Sequence, residues 1–220
     1  KMEREIPAED LKKLYGSNDM VKADCGGCKG CSSRCSGMGE SIVLDPLDIQ
    51  FLKTNLGVSF EELMQEGIEL NVKDGIILPN LKVAGEREAC TFLSPEGRCT
   101  IHSFRPGLCR LFPLGRYYEG GSFRYYLQSR ECPKEDKTKV KVKKWLGIPD
   151  LRQNEEFTSK WHYFLKSIKL KAAGEQDMRF SRECSMYVLE NFYIKDYAPD
   201  KDFYSQFYER LSHAEKLLTM

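Results

Sequence analysis

The sequence predicts an α+β fold in which a cysteine-rich region with small hairpins is covered by C-terminal helices. Three observations carry that prediction. Eight of the nine cysteines lie between Cys25 and Cys132. Two stretches, residues 68–83 and 114–128, read as strands folded back on glycine-containing turns. Beyond Lys134 apolar residues recur at spacings of three and four, the period of a helix with one buried face. On this reading residues 1–133 form the cysteine-rich region, and residues 134–220 form a helical region that packs on it as one compact unit.

Each element has a local reason. Pro7 to Tyr15 is a short amphipathic segment, and Cys25 to Gly39 is a loop of Cys, Gly, Ser and Lys. Its glycines let backbone curl tightly around a ligand. Ser41 to Asp45 reads as a short strand or turn leading into a helix, with Asp45 as cap, Pro46 in the first position and Asp48 favourable to the helix dipole. Gly57 ends that helix, and Ser59 with Glu62 makes a capping box for the next. The first hairpin turns at Lys73-Asp74-Gly75 and the second at Glu119-Gly120-Gly121. Between them Ser94-Pro95-Glu96-Gly97 is a turn that brings Cys90 and Cys99 to adjacent strand ends. Pro106 and Pro113 stiffen the chain around Cys109. Phe157, Trp161, Phe164, Leu165 and Ile168 make one apolar helical stripe; Phe203, Phe207, Leu211, Ala214 and Leu218 make another. Both read as core, and Cys184, beside Met186, Tyr187 and Leu189, reads as a buried apolar thiol.

Composition removes several function classes. Lys+Arg of 34 against Asp+Glu of 33 gives no strong nucleic-acid signal in a chain of 220 residues. Lys137 to Lys144 alternates lysine with Val140 and Val142 and reads as a solvated face. A mean hydropathy of −0.51, with no apolar run near twenty residues, argues against a membrane span. Met2 reads as the native start, and the charged residues after it offer no apolar stretch for secretion. With an odd cysteine count, that points to reduced thiols and a cytoplasmic location. Phosphate-binding and dinucleotide-binding glycine motifs are absent, as is a Ser-His-Asp spacing. Tyr117, Tyr118, Tyr125 and Tyr126 read as a packing surface that could also line a pocket.

What remains is the thiol pattern. Cys25, Cys28, Cys31 and Cys35 are spaced C-x2-C-x2-C-x3-C, the ligand spacing of a bacterial-type iron–sulfur loop. Structural zinc sites more often pair two C-x2-C units across a longer stretch. The loop departs from the ferredoxin run at Ser36, where proline is expected, although a Cys132-Pro133 pair occurs later. One arrangement lets Cys25, Cys28 and Cys31 hold one centre with a remote partner, while Cys35 joins the group of Cys90, Cys99, Cys109 and Cys132. All eight are metal-ligand candidates. His102 reads as a ligand, as a hydrogen-bond donor to a cluster sulfur, or as a partly buried residue closing a turn. Arg105 and Arg110 read as balancing charges for a thiolate-rich centre or as ion-pair partners supporting the turn.

The first loop, together with Cys90-Thr-Phe-Leu93 and the Arg105-Pro106-x-x-Cys109-Arg110-x-Phe112-Pro113 stretch, resembles the cysteine-cluster family (CxxCxxCC, YkgJ-like), a zinc- or iron-chelating domain. The resemblance runs from Cys25 to Cys132, about half of the chain. It implies Cys28, Cys31, Cys35, Cys90, Cys99, Cys109 and Cys132 as ligands. The chain departs from the family at Arg34-Cys35, where adjacent cysteines are expected, and Cys25 upstream could compensate. One family member is a flagellin lysine N-methylase, which implies cluster-dependent methyl transfer in that branch. The expected function is therefore an iron–sulfur protein with one or two clusters, 4Fe-4S first among them. Its chemistry would be redox or cluster-dependent, with methyl transfer from S-adenosylmethionine as one form. The alternative is a zinc-stabilised structural or binding module without catalysis, and a weaker third is metal storage or trafficking. The partner would be a small-molecule or protein substrate or a redox partner, of unknown identity.

Overall fold

The computed structural model of the chain describes residues 6–24, 26, 31–32, 35–174 and 178–218. In chain order its strands and helices begin with β1 (Leu14–Tyr15) and β2 (Met20–Asp24), followed by α1 (Pro46–Leu56) and α2 (Phe60–Glu66). Next come β3 (Ile68–Lys73), β4 (Ile76–Leu81), β5 (Val83–Ala84), β6 (Ala89–Cys90) and α3 (Gly107–Leu111). Then follow β7 (Leu114–Glu119), β8 (Ser122–Leu127), β9 (Thr138–Lys141), α4 (Val142–Leu146) and α5 (Leu151–Gly174). The chain closes with α6 (Met178–Val188), a π-helical segment Leu189–Ile194 and α7 (Phe203–Leu218). Helices make up 46% of the structure and the sheets are small and antiparallel, so the fold is α+β with C-terminal helices.

The local signals account for these elements. Asp45 and Asp48 accept from each other's backbone N–H at 2.9 and 3.1 Å, a capping box that starts α1 on Pro46. Gly57 ends it in the left-handed region at φ 69°. Ser59 and Glu62 repeat the box at α2. The hairpins form at the expected turns, β3 on β4 across Asp74-Gly75 and β7 on β8 across Gly120-Gly121. The lysine run corrects the sequence reading, which expects helix from Lys134 onward. Thr138–Lys141 is a strand paired antiparallel with β2, with Val140 opposite Val21. Alternation of lysine and valine is a period of two, so the lysines of β9 face out while Val140 faces in. Helix begins only at Val142.

The chain forms two compact units, each assembled from two stretches of sequence. Lys1–Lys29 with Arg110–Lys160 make the first, and Gly30–Cys109 with Trp161–Met220 make the second. The first holds a three-stranded sheet in the order β1-β8-β7, the β2–β9 pair, α4 and the start of α5. Its buried side chains include Tyr15, Val21, Leu114, Tyr125, Val142, Leu146 and Phe157. The second holds α1, α2, the β3–β4 hairpin, the β5–β6 pair and the C-terminal helices. Its centre is an aromatic group in which Phe192 lies 4.9 Å from Trp161 and 5.8 Å from both Phe164 and Phe207, ring centre to ring centre. Of the two expected stripes, the first is buried throughout and the second is buried at Phe207, Leu211 and Ala214. Cys184 is fully buried, as its apolar neighbours imply. Among the described residues no helix is long and apolar enough to cross a membrane.

Candidate metal centre

Three separate pieces of backbone in the second unit carry the cysteines toward one another. The first is the end of the glycine-rich loop. The N–H of Cys35 donates to Ser32 at 2.8 Å, and its carbonyl accepts from the N–H of Cys90 at 2.7 Å. Ser36 bridges to Ala89, and Gly37 donates to the carbonyls of Arg87 and Glu88. The segment around Cys35 is thereby zipped onto β6, which ends in Cys90.

The second piece is the turn after β6. Ser94 and Gly97 close it, with Gly97 donating to Ser94 at 2.9 Å and Ser94 donating to Arg98 at 2.8 Å. Gly97 takes φ +73°, a left-handed conformation that favours glycine. A bridge between Leu93 and Cys99 follows, and the Leu93 N–H donates to the Cys90 carbonyl at 2.9 Å, so the turn ties Cys99 to Cys90 through Leu93. Phe92 anchors it: its carbonyl accepts from both Thr100 N–H and Oγ1, at 2.9 and 3.0 Å. Its ring lies so close to Gly67 that a Cβ there would sit 2.6 Å from it. The third piece is the start of α3. Asp48, only 6% exposed, accepts from the N–H of Gly107 at 2.8 Å and so holds the turn of chain that bears Cys109.

The electrostatics show how near these thiols come. The Cys35 thiol is pushed up to about 11, first by burial and then by Cys99, Cys90 and Cys31, against an opposing pull from Arg105. Burial also raises Cys109, as do the nearby Asp48 carboxylate and the same group of Cys90, Cys35 and Cys99. Cys90 is raised by burial and by Cys99, with the Phe92 backbone pulling the other way. Burial and nearby sulfur both favour the neutral form of the Cys35, Cys90 and Cys109 thiols. A bound soft metal ion reverses that balance, because it stabilises each thiolate directly.

The expected ligands therefore fall into three sets. Cys31, Cys35, Cys90, Cys99 and Cys109 are half-buried and act on one another within the second unit. Cys132 belongs to the first unit, half-buried in the turn before β9, where its carbonyl accepts from Lys137 at 3.3 Å. Cys25 and Cys28 lie outside the described residues. No disulfide joins the seven described cysteines. Among the described residues no group of three or more Cys, His, Asp or Glu side chains is drawn close enough to hold an ion, so the thiols converge without closing a coordination sphere.

His102 differs from the partly buried residue expected. It is exposed, opens a short 3-10 turn (His102–Phe104), and accepts a hydrogen bond at Nε2 from Arg105 Nη1. The two arginines also separate. Arg110 donates to the Leu146 carbonyl at 3.5 Å within the first unit, whereas Arg105 acts on Cys35. Arg105 Nε is buried with no hydrogen-bond partner among the described residues.

A family model described as "Putative zinc- or iron-chelating domain" matches residues 24–146, more than half of the chain. The chain belongs to the CxxCxxCC family. No solved structure matches it. Membership supports metal binding, and the residues fit a metal by two observations independent of the match. The convergent donors are sulfur, the ligand chosen by zinc and iron–sulfur centres. Arg105 Nε is a buried donor without a partner among the described residues, its guanidinium acts on Cys35, and a metal-bound thiolate would supply an acceptor. Sequence reasoning missed Asp48 as part of this assembly. Its place in the first turn of α1 was legible, but its hold on Gly107, 59 residues away, was not.

Proposed function

We propose that this protein binds an iron–sulfur centre through the second-unit thiols and uses it for redox or cluster-dependent chemistry. The observation that carries the reading is the mutual electrostatic effect of Cys35, Cys90, Cys99 and Cys109. Sulfur donors converging from distant parts of the sequence favour a soft cation, and four thiolates are the ligand set of a cluster. Cys25, Cys28 and Cys31 are then available to a second centre or to completing the first. A bound cluster would supply one-electron transfer, or an iron with an open position. The chain's own residues do the rest. Asp48 holds the backbone before Cys109, the turn at Gly97 sets Cys90 against Cys99, and Arg105 offsets the negative charge of the thiolates.

Metal analysis of protein purified without oxygen tests this. Brown protein with visible absorbance, iron and acid-labile sulfide is the expected result. Colourless protein with stoichiometric zinc would replace the cluster with a tetrathiolate zinc site and the chemistry with a structural or binding role. Cys35→Ala, Cys90→Ala and Cys109→Ala are each expected to abolish metal loading at this centre and to destabilise the fold. Full metal content and near-native stability in all three would refute the assignment.

A further inference from the structure

Within the first unit, Tyr15 of β1, the loop after it, the turn of the β7–β8 hairpin and the start of α5 enclose a cavity of about 360 Å³. That volume lies in the range of small-molecule sites. Glu155 stands on its wall, half-buried, with Oε1 accepting from the hydroxyl of Tyr125 at 2.9 Å. Tyr125 is itself only 2% exposed and lines the same cavity. Burial raises the Glu155 carboxyl above the usual carboxylate range, while the Tyr125 bond and the Arg116 charge hold it down. No ion pair closes on Glu155 among the described residues. A half-buried carboxylate on the cavity wall has acceptor capacity beyond its one neutral donor, and an occupant of the cavity can supply a second.

The surroundings choose the kind of occupant. Lys13 Nζ lies 5.1 Å from the Tyr15 ring centre, the Arg116 guanidinium lies 5.4 Å from that of Phe123, and Lys160 is on the lining. These charges oppose a cationic ligand. The carboxylates of Glu155 and Glu156 oppose an anionic one. A neutral molecule rich in hydroxyl groups meets neither objection. The lining also offers the hydroxyls of Ser17, Ser122 and Ser159, and the aromatic surfaces of Tyr15 and Phe123. Aromatic surface suits the C–H face of a saturated ring, and a carboxylate accepts two neighbouring hydroxyls, as acidic residues do for ribose. We propose that this cavity binds a neutral vicinal-diol ring, a monosaccharide or the ribose of a nucleoside, with Glu155 accepting from the diol.

Titration of the full chain with ribose, methyl glucoside, adenosine, 2′-deoxyadenosine and choline, read by saturation-transfer NMR, tests the proposal. Binding of a diol-bearing probe, weakened at least about tenfold by Glu155→Gln, is the expected result. Glutamine keeps an acceptor for Tyr125, so the fold loses little. Preference for adenosine over its 2′-deoxy form assigns the site to ribose, and binding of the glucoside assigns it to a free sugar. Should Glu155→Gln fail to fold, Ser122→Trp at the exposed turn fills the mouth, and must abolish binding with circular dichroism unchanged. Choline binding in preference to the diols, binding indifferent to both substitutions, or no binding of any probe at millimolar concentration would overturn it.

Discussion

The aromatic centre and the thiol-bearing loops of the second unit are built on opposite principles. Around Phe192 the side chains are rings and branched chains at 0 to 5% exposure, packed ring against ring from α5, the π-helical segment and α7. Around Cys35 and Cys90 the backbone makes two-residue strands and isolated bridges, and the thiols are half-buried. The first region is stabilised by removing apolar surface from water, and it needs nothing but its own sequence. The second is held by a few backbone hydrogen bonds, and burial with neighbouring sulfur keeps its Cys35 thiol protonated in the absence of a metal. A metal-binding part with little apolar burial of its own can therefore persist without its ion because a self-sufficient core stands in the same unit.

That contrast predicts that the core can be broken without touching a thiol. Phe192→Ala removes the ring that meets Trp161, Phe164 and Phe207, and is expected to cost about 3–5 kcal/mol. A urea midpoint lowered equally in metal-free and metal-loaded protein is the expected result. A loss confined to the loaded form would mean that the two regions are not independent.

Asp48 is where the two regions meet. One carboxylate oxygen completes the capping box of α1, and the other holds the Gly107 N–H ahead of Cys109. Asp48→Ala removes both and leaves a part-buried N–H without its acceptor, a loss of roughly 2–3 kcal/mol. Unlike Phe192→Ala, it is expected to lower metal content as well as stability. Equal metal content in mutant and wild type would make Asp48 a helix cap only.

Arg105→Gln sharpens the same comparison from the other side, since it touches the thiols and not the core. Its guanidinium draws the Cys35 thiol down, and its buried Nε has no hydrogen-bond partner among the described residues. Replacing it is expected to weaken metal binding about 10- to 100-fold in chelator competition while the metal-free urea midpoint stays put. An unchanged affinity would assign Arg105 to its bond with His102 alone.

Much of the fold was legible because its signals are short. Caps at Asp45 and Ser59, the Asp74-Gly75 and Gly120-Gly121 turns, and the stripes in α5 and α7 each sit within a few residues of what they control. The lysine run misled because period two was masked by charge, and only the pairing of Val140 with Val21 resolves it. Spacing marked the cysteines as ligand candidates, but it does not encode which of them share a unit, and Cys109 and Cys132 do not. The Glu155–Tyr125 pair was invisible for the same reason, since its members are 30 residues apart and neither belongs to a motif.

The smallest effect concerns acid. His162 stands half-buried on α5, one and two turns before Lys166 and Lys169, and its imidazole is lowered to about 4 by burial first and by those two charges second. A folded value below the unfolded one means that the unfolded chain takes up the proton first. The contribution of the neutral ring to stability is then complete above about 6.5, and is lost as pH falls from there toward 4. Because the ring is partly solvated, the loss is roughly 1 kcal/mol after screening. The comparison belongs in metal-free protein with a chelator present, so that thiol–metal chemistry does not add its own pH dependence. Urea midpoints between pH 7.5 and 5 are expected to fall more steeply in wild type than in His162→Gln, with the two curves closest at the acid end. Parallel curves would show that the helix side of the core is as indifferent to protons as its aromatic packing suggests.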